Sequence, residues 1–417
     1  MTGLFGNVPF SGFGRSRFGV VGRAPVTERA AASSGQLLRR AVRSRCPRQP
    51  GVYGMVDQHG TLIYVGKAKC LRTRLASYFR TKSRDPKAGR IVQATRGLIW
   101  ECLPSEFAAL LRELELIHRW RPRFNVQGQP TRYRRTYVCL GRQPAPYVYL
   151  ARRPARDVLA SFGPVPASRR AREAVRRLND WYQLRDCSRA QVMHFADQGE
   201  LFPVIRAAGC LRHEIGTCLG PCSGGCTSAS YTVQLQAVHA FLTGTDTTAL
   251  DTLHRDMMTA AAEQQFEQAA ALRDRWEALD WLRTQLDRIR RAQDEHSFVY
   301  KMPGPGRSEL WYAVHRGQVK AVLPAPRTEK AKQAALSKIE QVFGAGAWAE
   351  PASVEEVDVV LLVAAWFRRH PDERNRTAAP EAILSALGGE NAGSGSRHFN
   401  HDARDVVARV AIECELA

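Results

Sequence analysis

Two groups of residues in this 417-residue chain have types and spacings that could do chemistry. The first lies in the stretch GTLIYVGKAKCLRTRLASYFR, residues 60–80, where Tyr64 is followed by Lys67, Lys69, Arg72, Arg74 and Arg80. Cations at that density suit phosphate oxygens, and the alternative use of the same residues is a solvated helix face. The second group is Cys210, Cys218, Cys222 and Cys226, packed into one short segment while the other six cysteines are scattered. In a reducing compartment that spacing points to metal before disulfides.

The composition around these groups narrows the partner. Formal net charge is +21, a field that attracts phosphate backbones at long range. No apolar run approaches the ~20 residues of a spanning helix, so nucleic acid is favoured over membrane and the chain is placed in the cytoplasm. Residues 1–35 are rich in Gly, Arg and Ser with almost no acid. That composition describes a disordered basic arm touching DNA, with an organelle transit peptide as the alternative.

The elements that must position the reactive residues follow from pattern. GQLLRRAVRSRC predicts a short basic helix ended by Pro47 and Pro50. Val52–Val56 and Leu62–Val65 form two β-rich runs joined by a turn at His59 and Gly60, a hairpin in which Gly51-Val52-Tyr53 would pair with Tyr64-Val65-Gly66. A helix is expected from about Lys69 to Phe79, with Lys67, Arg74 and Tyr78 able to share one face. EFAALLRELELIHRW has apolar residues at helical spacing and ends before Pro122. RTYVCLG and PYVYLARR predict a further strand pair before a basic helix at 168–177. Two amphipathic helices are expected between Leu250 and Leu282, with Leu253, Met257 and Ala261 on one stripe and Phe266, Ala269, Leu272, Trp276 and Leu279 on the other. From 296 onward HSFVYKM, SELWYAVHRGQVKAVLPAP and VDVVLLVAAWFRRH are read as strands, with a helix near Glu329–Val342. The fold class is multi-domain α/β: arm 1–35, small α/β domain 36–130, basic linker and Cys-rich segment 131–240, helical hairpin 247–283, a second small α/β unit 296–385 and a flexible tail 386–417.

The blocks PGVY, IYVGKAK, LRTRLASYF, EFAALLRELELI and RPRFNV, in that order over about 80 residues, resemble the GIY-YIG nuclease domain at the amino-terminus of the UvrC family of excision-repair nucleases and its shorter Cho-like relatives. The resemblance implies phosphodiester hydrolysis, which needs an activated water, positive charge at phosphorus and a proton for the leaving oxygen. It implies that Glu113 alone holds a Mg²⁺ or Mn²⁺ ion, which would keep most of its waters. It makes Tyr64 the group that takes the proton from the nucleophile and Arg74 the cation at the scissile phosphate. Tyr53, Lys67, Tyr78 and Asn125 complete the implied catalytic set, with Lys69, Arg72, Arg80, Arg169 and Arg170 gripping DNA. Taken singly, the tyrosines are ordinary strand aromatics, Glu113 a surface carboxylate and Asn125 a turn residue.

The cysteine segment resembles that family's cysteine region, in which the spacing C-x7-C-x3-C is matched by Cys210, Cys218 and Cys222. Cys187 in LRDC corresponds to the first ligand, across a longer gap than is usual, and Cys226 could replace it. The resemblance implies a [4Fe-4S] cluster, with structural zinc and unligated buried thiols as alternatives. DMMTAAAEQQFEQAAALRDRWEAL resembles the UVR helical hairpin that binds UvrB, which makes Met257, Phe266, Ala270 and Leu272 partner-facing and a UvrA-like protein an indirect partner. After 296 no set of acids placed to hold two metals is apparent, and no helix-hairpin-helix glycine turns. The expectation is therefore a Cho-like repair endonuclease cutting a damaged duplex once, 3′ to the lesion. The alternatives are a stand-alone nuclease for branched or single-stranded DNA, and a non-catalytic UvrB-binding module.

Overall fold

The structure, a computed structural model, describes residues 10–20, 26–32, 34–79, 86–125, 135–141, 143–155, 158–188, 190–198, 210–304, 306, 308–344 and 353–388. The chain divides into two compact units, one of residues 1–133 with 292–394 and the other of 134–291 with 395–417.

The first unit begins with β1 (Thr27–Ala31), α1 (Gly35–Arg45), β2 (Gly51–Val56), β3 (Leu62–Ala68), α2 (Leu71–Tyr78), α3 (Pro86–Ala94), β4 (Gly97–Cys102) and α4 (Glu106–Trp120). The four strands form an antiparallel sheet in the order β1-β4-β2-β3. The β2–β3 hairpin forms because Asp57 Oδ1 accepts from the backbone N–H groups of His59 (2.9 Å) and Thr61 (3.1 Å), an Asx-type turn. Its register differs from the expected one by two residues. Tyr53 faces Gly66, Gly54 faces Val65 and Met55 faces Tyr64, with an irregularity between Met55 and Val56. The longer turn and the bulge absorb the difference. Strand β4, which runs beside β2 in the middle of the sheet, and helix α3 were not anticipated.

Helix α2 starts at Leu71, so Lys67 and Lys69 are not helical. Cys70 at its N-cap makes no side-chain cap, and its first N–H groups bond instead to Gln49 O (2.9 Å, from Leu71) and Pro47 O (3.2 Å, from Arg72). The proline-rich loop thus does the capping. Helix α4 matches the predicted run. Ser105 caps its N-terminus by accepting from Ala108 N–H, and Arg121, in the left-handed region at φ 46°, ends it ahead of Pro122.

Residues 10–20 and 26–32 correct the disordered-arm reading, while 1–9, 21–25 and 33 of that call lie outside the described residues. Strand β1 pairs along its length with β4, and Phe13 is fully buried among Val52, Leu62, Val65 and Ile99. Arg112 of α4, 1% exposed, donates to the backbone oxygens of Gly14 and Arg15 and to the carboxylates of Glu101 (3.1 Å) and Glu115 (2.8 Å). A composition that averages to arm-like hides three phenylalanines, Phe10, Phe13 and Phe18, that anchor the segment.

The second unit holds β5 (Arg135–Gly141), β6 (Tyr147–Ala151), β7 (Val158–Pro166), α5 (Arg169–Trp181), the short α6 (Leu211–Glu214), α7 (Ser228–Thr243), α8 (Thr248–Ala262) and most of α9 (Phe266–Asp294). The expected strand pair is a three-stranded sheet, β6-β5-β7. Asn179 of α5 clamps β6 by accepting from Val148 N–H (3.0 Å) and donating to Val148 O (2.8 Å). The two amphipathic helices are present, but α9 continues past Leu282, burying Leu286 and Ile289 as well as Leu279 and Leu282. Ala261 is exposed, and the buried position on α8 is Ala260.

The remaining elements return to the first unit: β8 (Phe298–Pro303), β9 (Glu309–His315), β10 (Gln318–Pro324), α10 (Glu329–Phe343), α11 (Val354–Arg369), a 3₁₀ turn Pro371–Arg376, β11 (Thr377–Ala378) and α12 (Pro380–Gly388). VDVVLLVAAWFRRH is therefore a helix, where the sequence reading had a strand. Its β-branched run favours a strand locally, but Ser353 and Glu356 form a reciprocal capping box and the 16-residue element is buried on the face carrying Val359, Val363, Trp366 and Phe367. Nor are these residues a separate domain from 36–130. Phe107, Ala108 and Leu111 of α4 lie in one apolar core with Tyr300, Tyr312, Val363 and Phe367. Residues 389–417 lie outside the described set.

Candidate active site

Three tyrosines meet above the β2–β3 hairpin. Tyr53 and Tyr78 share a hydrogen bond (3.0 Å between hydroxyls), and Tyr78 donates to Tyr64 (3.5 Å). Arg74 closes the group, with Nε donating to Tyr53 Oη and Nη2 to Tyr78 Oη, both at 3.3 Å, and its guanidinium stacked over the Tyr78 ring. Tyr53 is fully buried, Tyr64 and Tyr78 are half-buried, and Arg74 is exposed. Two hydrogen-bonded phenols thus orient one accessible guanidinium. Burial, followed by the neighbouring Tyr78, pushes the Tyr64 hydroxyl above its ordinary range.

Glu113 lies beside this group on α4. Its Oε1 accepts from the backbone N–H of Lys67 (3.0 Å), and burial raises its carboxyl to about 7 against that hydrogen bond and the charges of Lys67 and Arg74. Among the described residues it makes no other hydrogen bond, and no three His, Cys, Asp or Glu side chains converge to hold an ion. A desolvated carboxylate with one oxygen disengaged fits a hydrated divalent cation held by a single protein ligand, since such ions keep several waters. It does not fit a dehydrated cage.

Lys67 is placed differently from the expectation. On β3, it directs Nζ onto Glu106 Oε1 (2.5 Å), while Lys69 Nζ pairs with Glu106 Oε2 (3.0 Å). Glu106 was missed, although it sits seven residues before Glu113 on the same helix, two turns along one face. Burial works against its ionisation, but hydrogen bonds from the two lysines hold the carboxyl below its ordinary value. Among the described residues Asn125 makes no hydrogen bond to the three hydroxyls, Arg74 or Glu113. It accepts from Val65 N–H and donates to Val65 O, both at 2.8 Å, and so fixes the strand that carries Tyr64. Arg72 turns inward, its Nε donating to Cys46 O (2.5 Å), which ties α2 to the loop that caps it. Arg169 and Arg170 are exposed on α5, with Arg170 over the Trp281 ring. Arg80 lies outside the described residues.

In the second unit Cys187, Cys210, Cys218 and Cys222 line one cavity of about 110 Å³ together with Arg185 and Arg212. Cys226, nearly buried, is not among its lining residues. The four thiols surround a volume and do not converge on a point, so the expected thiolate site is not preformed as a single-ion cage. The cavity exceeds the ~30 Å³ share of one water several-fold. On the helical hairpin, Phe266 is 69% exposed and Met257, Ala270 and Leu272 are half-buried.

Comparison with known proteins matches three segments in succession. The family model of the UvrC-like GIY-YIG domain covers residues 49–126, that of the UvrC/Cho excinuclease middle domain 136–241, and that of the UvrB/uvrC motif 247–280. The UvrABC system protein C of Desulforudis audaxviator is 37% identical over 236 residues, covering 56% of this chain and 36% of that protein. The one from Methanosarcina acetivorans is 31% identical over 255 residues, covering 61% of this chain and 46% of that protein. The chain thus spans between a third and a half of the length of these relatives. Among solved structures, the GIY-YIG N-terminal endonuclease domain of UvrC from Thermotoga maritima, bound to magnesium, is 35% identical over 21% of this chain and 96% of that domain, with a TM-score of 0.20. Among the described residues no helix is long and apolar enough to cross a membrane. A GIY-YIG domain, a UvrC/Cho middle domain and a UvrB/uvrC motif in that order place the chain in the UvrC family.

Proposed function

We propose that this protein is a divalent-metal-dependent endonuclease of nucleotide excision repair, cutting a damaged strand of duplex DNA 3′ to the lesion. The observation that supports this reading most is the orientation of Arg74 by Tyr53 and Tyr78 beside the desolvated carboxylate of Glu113. Arg74 is free on its solvent side to take a phosphate oxygen, and its hydrogen bonds to the phenols set its angle before substrate arrives. Tyr64, whose hydroxyl accepts from Tyr78 (3.5 Å), is read as the group that receives or relays the proton of the attacking water. Bound at Glu113, Mg²⁺ or Mn²⁺ supplies positive charge for the transition state. Lys67 holds Glu113 through its backbone N–H, and its ammonium is held in turn by Glu106.

Delivery to the lesion falls to a UvrB-like partner docking on α8 and α9, where Phe266 presents a large apolar side chain to solvent. A UvrA-like protein acts upstream of that partner. Lys69, Arg169 and Arg170 contact phosphate without reading sequence. The cysteine cavity is read as the seat of a [4Fe-4S] cluster ligated by Cys187, Cys210, Cys218 and Cys222. What supports the reading is that these four thiols line one cavity of about 110 Å³, room for a polynuclear core.

The test is incision of a duplex carrying one bulky adduct, labelled at each end in turn, with Mg²⁺ and with or without UvrA- and UvrB-like proteins. A single partner-dependent cut 3′ to the adduct, lost in Glu113→Ala while DNA binding persists, is expected. Cutting without partners would make the protein a stand-alone nuclease, and no cutting under any condition would leave a UvrB-binding module.

A further inference from the structure

Among the described residues Arg185 is a buried cation without an acid to answer it. It is 2% exposed, and its guanidinium lies 5.2 Å over the Tyr147 ring. Nη2 donates to the carbonyls of Cys187 (3.4 Å) and Ser188 (3.0 Å), while Nε is buried with no acceptor. Among the described residues no carboxylate pairs with it. The other buried arginine of comparable depth, Arg112, is matched by Glu101 and Glu115, and Arg212, which lines the same cavity, is matched by Asp180 (2.8 Å) and Asp186 (2.6 Å). Desolvating a guanidinium with neutral partners alone is strongly unfavourable, so the fold calls for an anion at this place.

The cavity that Arg185 lines contains one source of that anion. Its walls carry four thiols, those of Cys187, Cys210, Cys218 and Cys222. Thiols that bind a metal core lose their protons, and four thiolates around an oxidised iron–sulfur core sum to a dianion. We propose that Arg185 is the counter-ion of a tetrathiolate centre in this cavity, setting both how firmly the centre is held and how readily it is reduced. The inference rests on the iron–sulfur reading above and goes beyond it in naming the residue that balances the charge.

A counter-ion and a structural arginine make opposite demands on the metal-free protein. If Arg185 waits for an anion, removing its charge relieves the empty form and weakens the loaded one; if it merely packs, removing it harms both. The experiment compares full-length wild type, Arg185→Gln and Arg185→Lys, each reconstituted anaerobically with ferrous iron and sulfide. It reads bound iron and sulfide, the rate of iron loss to a chelator, the reduction potential, and the melting temperature of the metal-free chain. Arg185→Gln should lose iron roughly tenfold faster, the scale of one lost hydrogen bond to a charged group. Its potential should move to more negative values, because the reduced centre carries more negative charge, and its metal-free melting temperature should not fall. Arg185→Lys should stay with wild type in potential. Equal chelation rates and potentials in Arg185→Gln and wild type would overturn the inference and leave the cluster standing. A metal-free Arg185→Gln that melts lower or does not fold would also overturn it. A wild type that takes up no iron and sulfide would remove the cluster reading and the inference with it.

Discussion

Gly66 lies directly across the β2–β3 pair from Tyr53, and a methyl group added at Gly66 would stand 2.5 Å from the Tyr53 hydroxyl and 2.6 Å from the ring carbon that bears it. The glycine is there so that a buried phenol can cross its own partner strand and reach Arg74. Gly51 serves a similar end, since a methyl there would meet Glu101 O at 2.2 Å and close the gap between β2 and β4.

Gly66→Ala should therefore displace the Tyr53 hydroxyl and release Arg74 from it. Overpacking of this kind costs about 1–3 kcal/mol, read by urea unfolding. A misplacement of about 1 Å at the phosphate cation lowers kcat by roughly 10²-fold, while DNA affinity is kept. Retention of wild-type kcat would show that Tyr53 does not orient Arg74.

Glu106→Gln should separate binding from turnover. The substitution frees the ammonium groups of Lys67 and Lys69, which now share one carboxylate at 2.5 and 3.0 Å. Each newly available cation steepens the log-log salt dependence of DNA binding by up to about 0.9. DNA affinity at low salt should rise and kcat should fall, because Lys67 no longer holds the β3 edge against α4. Titrations at several salt concentrations, with single-turnover rates, decide it. An unchanged salt slope would mean that the two lysines never reach the DNA.

Much of the site was legible because the tripeptides and helix runs carry their constraints locally. Tyr53, Tyr64, Arg74, Tyr78 and Glu113 do come together. What was not legible came from elsewhere in the chain. The pairing of Tyr53 with Gly66 depends on an Asx turn and a bulge that alternation does not reveal. Lys67 was assigned to a helix that begins four residues later, because basic residues continue across the strand end. Residues 10–20 resembled an arm until Arg112 and Phe13 fixed them, and an apolar run of β-branched residues became α11 through its cap and its packing.

His296 supplies a pH prediction away from the site. It is 2% exposed against the rings of Phe298 and Phe367, and burial, reinforced by Arg374, lowers its pKa below the ordinary 6.5. A histidine held neutral in the fold charges more readily when unfolded. Its contribution is therefore fully present above about 6.5, the unfolded value, and lost as pH falls below it toward the depressed folded value. His296→Phe should remove that part of the acid sensitivity. Urea midpoints followed downward from neutral pH should fall less steeply in the variant, and parallel curves would place the acid lability in other groups.

Phe107 tests whether the carboxy-terminal elements serve the nuclease site. It sits in the first turn of α4, one residue after Glu106, fully buried, with ring centroids of Tyr300, Tyr312 and Trp366 at 5.2, 5.5 and 5.5 Å. Farther along the same helix His118 Nε2 lies 3.1 Å from Asp358 Oδ2 of α11. Helix α4 thus presents Ala109, Leu116 and Ile117 to the β1–β4 sheet, Glu106 and Glu113 to Lys67 of β3 on that same side, and Phe107, Ala108 and Leu111 to the core that residues 298–367 share with Phe18. Phe107→Ala should cost about 3–5 kcal/mol by the scale of buried aromatic truncations. The activity readout separates two roles. If the carboxy-terminal core only adds stability, kcat measured well below the melting transition stays at the wild-type value. If it holds the α4 carboxylates in place, kcat and Mn²⁺ affinity both fall while the chain is still folded, and DNA affinity is spared. The second outcome is the one expected, because the first turn of α4 carries the carboxylate that fixes Lys67 and is anchored in that core through Phe107.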